Sequence, residues 1–144
     1  MLPDVYAMGC DGQCLLPFVP DGASVAFSKL ETPGAGDFAC IWLRPEIVKP
    51  GHHQGILKRL VLGIPDWVKF PWTDNPQSDV VPIIIAEQFN PAGQYRIRCS
   101  DVLAVHKALG YVGAGAKIGG SINERDLQPF AKGHPAAKQA KRKD

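Results

Sequence analysis

The sequence has no long hydrophobic run. One of its longest apolar stretches is only VVPIIIA at Val80–Ala86, whereas a membrane-spanning helix needs about 20 predominantly apolar residues. The N-terminal stretch MLPDVYAMGCDG has neither the basic segment nor the apolar segment of a secretory signal peptide. From these absences we predict a cytoplasmic protein with no membrane partner.

A large excess of charge of one sign is also missing. The 16 Lys and Arg residues nearly balance the 14 Asp and Glu residues, and the net charge at pH 7 is +2. Domains that bind nucleic acid are usually strongly basic, so we do not expect nucleic acid to be the main partner. Weak phosphate contacts are expected only through the basic residues near the C-terminus, which are Lys138, Lys141, Arg142 and Lys143.

Cysteine is scarce, and the four residues are Cys10, Cys14, Cys40 and Cys99. In a protein that is not exported we expect reduced thiols, with Cys40 and Cys99 packed inside strand-like segments. Cys10 and Cys14 together with His52 and His53 would supply four zinc ligands. However, there is one cysteine pair rather than two, and the histidines are adjacent. We therefore predict no metal and no cofactor.

Glycine and proline are abundant, with 15 and 13 residues, which disfavours long helices. Segments rich in β-branched and aromatic residues lie between them and predict strands. After Val112 the chain becomes glycine-rich and then polar and basic, a composition typical of a flexible tail. The sequence therefore predicts a mainly β domain over residues 1–112 and a flexible basic tail over 113–144. The predicted strands are Ala23–Ser28, Asp37–Leu43, Ile56–Gly63, Trp67–Phe70, Val80–Ala86 and Gln94–Cys99, while Val102–Val112 fits helical and strand spacing equally well.

Several short motifs follow one another in a recognisable order. The stretch CLLPFVPDG (14–22) is followed by Gly36-Asp37, which opens an apolar strand, and by Lys58-Arg59 inside another. In this order the chain resembles the catalytic domain of LexA-type self-cleaving repressors and their UmuD-like relatives, which are related to bacterial signal peptidases. The resemblance implies twisted antiparallel sheets of the β-clip type and favours a strand at Val102–Val112. It also implies a homodimer that pairs through β segments.

The resemblance further implies a catalytic dyad. In the family a serine is the nucleophile and a lysine in an apolar strand is the general base; here Cys14 takes the place of the serine, Leu15 replaces the usual methionine and Lys58 is the base. A lysine in apolar surroundings is less hydrated, which disfavours its charged form, and a thiol beside an amine can become a thiolate. The backbone around Gln13 and Cys14 would form the oxyanion hole. The residues expected to shape the loop are Pro17, Asp21 and Gly22.

Two functions fit these expectations. The first is a peptidase with a Cys14–Lys58 dyad that either cleaves in trans or takes its own N-terminal strip into the cleft, because Met1–Gln13 leave no room for a DNA-binding module and a scissile linker before Cys14. The second is a catalytically inactive descendant that binds an extended peptide or protein segment in the retained cleft. Either would suit a regulatory factor of a phage or mobile element.

Overall fold

Seven antiparallel strands form one open sheet in the computed structural model, which describes residues 3–10, 15–73, 80–112 and 124–130. The order across the sheet is β1-β2-β7-β3-β4-β5-β6. The predicted mainly β domain is confirmed, and the LexA-like architecture stays a prediction. The strands are β1 (Val5–Gly9), β2 (Ser24–Ser28), β3 (Phe38–Leu43), β4 (Gly55–Leu60), β5 (Ile83–Phe89), β6 (Ala92–Arg98) and β7 (Val102–Val112).

Among the described residues, helix is confined to short 3-10 turns at Pro45–Ile47, Cys99–Asp101 and Glu124–Asp126. Each turn has three residues. A helix that crosses a bilayer needs about 20 residues. In the parts of the chain that the structure describes, no helix could therefore span a membrane.

Hydrophobic side chains pack on both faces of the sheet. Successive residues of a strand point to opposite faces, and in β3 this alternation sends Phe38 and Cys40 to one face and Ala39 and Ile41 to the other. The first cluster contains Tyr6, Leu15, Phe18, Val19, Val25, Phe27, Phe38, Cys40 and Ala108. The second cluster contains Ala39, Ile41, Leu60, Val68, Ile84, Ala86, Cys99 and Val102.

The sheet curls around the first cluster. Two strands, β2 and β7, separate β1 from β3, yet the indole Nε1 of Trp42 in β3 donates a 2.9 Å hydrogen bond to the Tyr6 hydroxyl in β1. Met8 of β1 and Leu57 of β4 line the same cavity, although strands four places apart in a flat sheet would be separated by about 19 Å. The strands from β1 to β4 in the sheet order therefore form a half-cylinder around the first cluster.

The predicted strand at Trp67–Phe70 is wrong, because these residues lie in a loop. Val68 of this loop is buried in the second cluster, and Phe70 and Trp72 pack against it. The apolar and aromatic residues of this segment therefore serve to pack the loop on the sheet, and they do not pair within it. The assignment of Val102–Val112 as a strand is confirmed, and β1 is a strand that the sequence analysis did not assign.

The described segment 124–130 packs on the domain beyond the predicted boundary at Val112. Tyr111 and Gln128 exchange two backbone hydrogen bonds of 3.0 and 2.8 Å, and the Phe130 ring centre lies 4.8 Å from that of Phe38. A Cβ on Gly110 would lie 2.7 Å from the Gln128 carbonyl oxygen, so glycine permits this close approach. The rest of the predicted tail lies outside the described residues.

Candidate functional site

The loop predicted to carry the nucleophile is described from Leu15 onward. Gln13 and Cys14 lie outside the described residues. Leu15 and Phe18 are buried in the first cluster, whereas Pro17 is exposed. These apolar contacts anchor the described part of the loop on the curled side of the sheet.

The end of this loop returns beside β1. Asp21 is exposed, and Gly22 adopts a φ of +83°, a conformation that glycine reaches without strain. The Gly22 amide donates a 2.7 Å hydrogen bond to the Cys10 carbonyl, and the Cys10 amide donates one of 2.8 Å to Ala23. The turn at Asp21-Gly22 thus ties the loop to the end of β1.

Lys58, the predicted general base, is half-buried in β4. Its Nζ donates a 2.9 Å hydrogen bond to Oε1 of Gln88 and lies 5.0 Å from the centre of the Tyr95 ring. The Tyr95 hydroxyl donates a 2.9 Å hydrogen bond to the same Gln88 oxygen. The amine is therefore bound to the β5–β6 part of the sheet through an amide oxygen and an aromatic face.

Lys58 and the loop after Cys14 are on different faces of β4. Ile56 and Leu60 pack with the second cluster, so alternation along the strand directs Lys58 to that face. On the other face, the guanidinium of Arg59 lies 5.4 Å from the centre of the Phe18 ring. The structure thus brings Arg59, rather than Lys58, against the described part of the loop. The Cys14–Lys58 dyad and the oxyanion hole stay predictions because Cys14 is not among the described residues.

A cavity of about 570 Å³ lies between β1 and β4 on the curled side of the sheet, and we call it the groove. Its volume is within the range of about 300–1,000 Å³ that ligand sites occupy. Four strands contribute to its walls, and the turn before β4 adds two histidines. The groove is lined by Met8, Gly9, Cys10, Phe27, Cys40, Gly51, His52, His53, Gly55, Ile56, Leu57 and Lys58.

A buried polar network supports one wall of the groove. The Tyr6 hydroxyl accepts the hydrogen bond from Trp42 and donates one to Nδ1 of His106. The Cys40 thiol, which lines the groove, is also hydrogen-bonded to Tyr6. Among the described strands, β1 is at the edge of the sheet and pairs only with β2. The network therefore gives β1 a second attachment, through side chains, to β3 and β7.

Burial sets the protonation of this network. It raises the pKa of the Cys40 thiol to about 12 and raises the pKa of the Tyr6 hydroxyl well above its usual range. Burial, with a smaller contribution from the nearby Lys29 charge, lowers the pKa of His106. At neutral pH the network therefore consists of a thiol, a phenol and a neutral imidazole. No motif in the sequence indicated this network, although the pair Val5-Tyr6 has the β-branched and aromatic character of a strand.

The zinc alternative receives no support from the described residues. Cys10, His52 and His53 all line the groove. However, no three His, Cys, Asp or Glu side chains in the described ranges are grouped so that they could hold a metal ion. His52 and His53 are exposed at the rim, and the fourth candidate, Cys14, is outside these ranges.

Comparison with protein-family models, with curated proteins and with solved structures finds no match for this chain.

Proposed function

We propose that the protein binds an extended peptide or protein segment by strand addition in the groove between β1 and β4. The observation that supports this most directly is that both strands have incompletely paired backbone edges. Among the described strands, β1 pairs only with β2, and β4 pairs with β5 only at Arg59 and Leu60. A segment that enters between them gains main-chain hydrogen bonds, which supply affinity with little dependence on sequence.

The register of β1 identifies the groups that a bound segment would use. The hydrogen bond from Cys10 to Ala23 belongs to the ladder with β2, and alternate residues of an antiparallel strand bond to the same neighbour. The N–H and C=O groups of Val5, Ala7 and Gly9 therefore point away from β2. They form the donor and acceptor row on the β1 side.

The opposite wall follows the same logic. The Leu60 amide donates a 2.8 Å hydrogen bond to the Asp37 carbonyl, so the even-numbered residues of β4 bond toward β3. The backbone groups of Gly55 and Leu57 therefore point toward β5, which does not pair with them. The first half of β4 is thus the second edge available to an extended ligand.

The proposal places the protein among LexA-like domains that keep the cleft and bind without cutting. The engagement of Lys58 by Gln88 and Tyr95, on the face away from Phe18, supports binding over cleavage. By the same resemblance the protein would be a cytoplasmic regulatory factor of a phage or mobile element, and it would form a homodimer.

The presence of Lys58 among the groove-lining residues favours cleavage as a second candidate. In that reaction the Cys14 thiolate attacks the scissile carbonyl, and the backbone at Gln13 and Cys14 binds the oxyanion. The C–N bond then breaks, and the leaving amine takes a proton from the Lys58 ammonium. Water hydrolyses the resulting thioester and restores the thiol. Lys58 would first have to leave Gln88.

Proline scanning of two sheet edges tests the proposal, since proline has no backbone N–H to donate. The probe is a pool of fluorescein-labelled randomised nonapeptides, and binding is measured by fluorescence anisotropy. Ala7→Pro removes an outward donor on β1. Gln94→Pro is the matched control, because the Cys99 amide bonds to the Pro82 carbonyl and the Gln94 amide therefore points outward from β6.

We expect Ala7→Pro to weaken binding at least tenfold, while Gln94→Pro and Cys14→Ala bind as the unaltered protein does. Circular dichroism and the urea midpoint verify that each variant is folded. If Ala7→Pro is folded and binds peptides normally, the β1 edge is not used and the proposal is wrong. Peptide fragments that appear with the unaltered protein and disappear with Cys14→Ala would instead support the peptidase.

A further inference from the structure

The floor of the groove is apolar and uncharged. Met8, Phe27 and Leu57 contribute hydrocarbon surface, and the Cys40 thiol lies among them. Burial keeps this thiol protonated, since its pKa is raised to about 12. A protonated thiol behaves as a small hydrophobic group. An apolar side chain of a ligand would therefore leave water without displacing a charge.

Gly55 lets the Cys40 thiol and the Trp42 ring pack directly against the backbone of β4. A Cβ at this position would lie 3.1 Å from the Cys40 sulfur and 3.1 Å from Cζ3 of Trp42. Trp42 is held by its hydrogen bond to Tyr6, so its ring cannot move without breaking that bond. The absence of a side chain at Gly55 thus keeps the thiol against the unpaired edge of β4, where it forms part of the floor.

The rim has the opposite character. His52 and His53 are exposed there and can donate N–H hydrogen bonds. None of the described lining residues is Asp or Glu. The rim thus offers N–H donors without lining carboxylates beside them, and it complements an acidic ligand.

We infer that the groove selects an extended segment in which one large apolar residue is flanked by acidic residues. The inference rests on the proposed strand addition and names its ligand class. The apolar side chain occupies the floor beside Gly55 and Cys40. The flanking carboxylates lie at the rim near His52 and His53. Gly55 and the two histidines are then specificity-determining residues.

Four defined peptides measure the two preferences separately, using the full-length protein and fluorescence anisotropy. Each is a fluorescein-labelled nonapeptide with a central Leu or Ala, flanked on both sides by Glu or by Lys, with serines elsewhere. Burial of a leucine side chain predicts that Leu binds about tenfold or more tightly than Ala. The Glu-flanked peptide should bind several-fold more tightly than the Lys-flanked one, and added salt should shrink that difference.

Variants assign each preference to its residues. His52→Gln combined with His53→Gln should narrow the Glu-over-Lys preference and keep the Leu-over-Ala preference. Gly55→Ala should reduce the Leu-over-Ala preference. If Gly55→Ala does not fold, Leu57→Ala tests the same preference, because it alters the floor without crowding Trp42. Lys69→Gln, on an exposed loop on the other face of the sheet, is the control and should change neither.

Strand addition and ligand selection are overturned by different results. If the four peptides bind with equal affinity, the strand-addition groove stands and the selection of an apolar and acidic segment is overturned. If Lys-flanked peptides bind more tightly than Glu-flanked peptides at low salt, the selection is overturned as well. If no peptide binds, the proposed function is wrong and the inference is lost with it.

Discussion

Removal of the Tyr6 hydroxyl tests the physical account of the groove wall. Tyr6→Phe keeps the ring, which packs against Phe27 with centres 5.4 Å apart, and deletes only the oxygen that joins β1 to β3 and β7. The change leaves the Trp42 indole N–H and the His106 Nδ1 atom without their partner. His106 is buried and Trp42 is half-buried, so water replaces the lost contacts only in part.

The magnitude follows from those two atoms. An unsatisfied buried polar group costs about 1–3 kcal/mol, and Trp42 is only half-buried, so its group is at the lower end of that range. We expect Tyr6→Phe to lower the free energy of unfolding by about 2–4 kcal/mol. A decrease of this size is a large share of the free energy of unfolding of a domain of this length.

Urea unfolding followed by tryptophan fluorescence measures the effect. The matched control is Tyr95→Phe, the same chemical change at a residue whose ring is exposed and whose hydroxyl bonds to Gln88. For this control we expect a change of about 0.5 kcal/mol or less. Equal stabilities of the Tyr6→Phe and Tyr95→Phe proteins would refute the claim that the buried network holds β1 in place.

Three further predictions concern other parts of the molecule. Because the pKa of His106 is lowered in the folded protein, the unfolded chain takes up a proton at this residue at a higher pH than the folded one does. The free energy of unfolding should therefore be full above about pH 6.5 and should fall as the pH drops below that value. Urea titrations at several pH values should show a flatter pH profile for His106→Gln. Gly110→Val should detach segment 124–130 and speed amide exchange at Gln128, and unchanged exchange would contradict the docking geometry. If the peptidase candidate is correct, Cys14 should react with iodoacetamide faster than the buried thiols, and Lys58→Met should slow it; labelling that is equally slow in both proteins would count against the dyad.

Local composition was sufficient for most strands. Segments such as Phe38–Leu43 and Ala92–Arg98 combine β-branched or aromatic residues with flanking turn residues, and this information is contained within a few neighbouring positions. Composition failed at Trp67–Phe70, because a loop that covers a sheet needs the same apolar side chains as a strand within it. Composition also gave no indication that segment 124–130 packs on the domain, because Phe130 is one aromatic residue in an otherwise polar stretch.

The candidate site was predictable only in part. The sequence placed Lys58 in a strand beside an apolar cluster, and the structure agrees with that placement. Neighbouring residues of a strand point to opposite faces, so a shift of one residue decides whether Lys58 or Arg59 meets the loop after Cys14. In the structure it is Arg59 that contacts Phe18. No local pattern indicated the groove, since its walls come from strands far apart in the chain.

The sequence by itself determined a mainly β chain with short strands, glycine- and proline-rich turns and little capacity for helix, because these preferences arise from each residue's own backbone and side chain. Only the tertiary structure decided that the sheet curls, so that Tyr6, Trp42 and His106 meet and β1 stands opposite β4. The physical reason is that curling buries the first cluster as a whole. That gain belongs to contacts between distant strands and to no single segment.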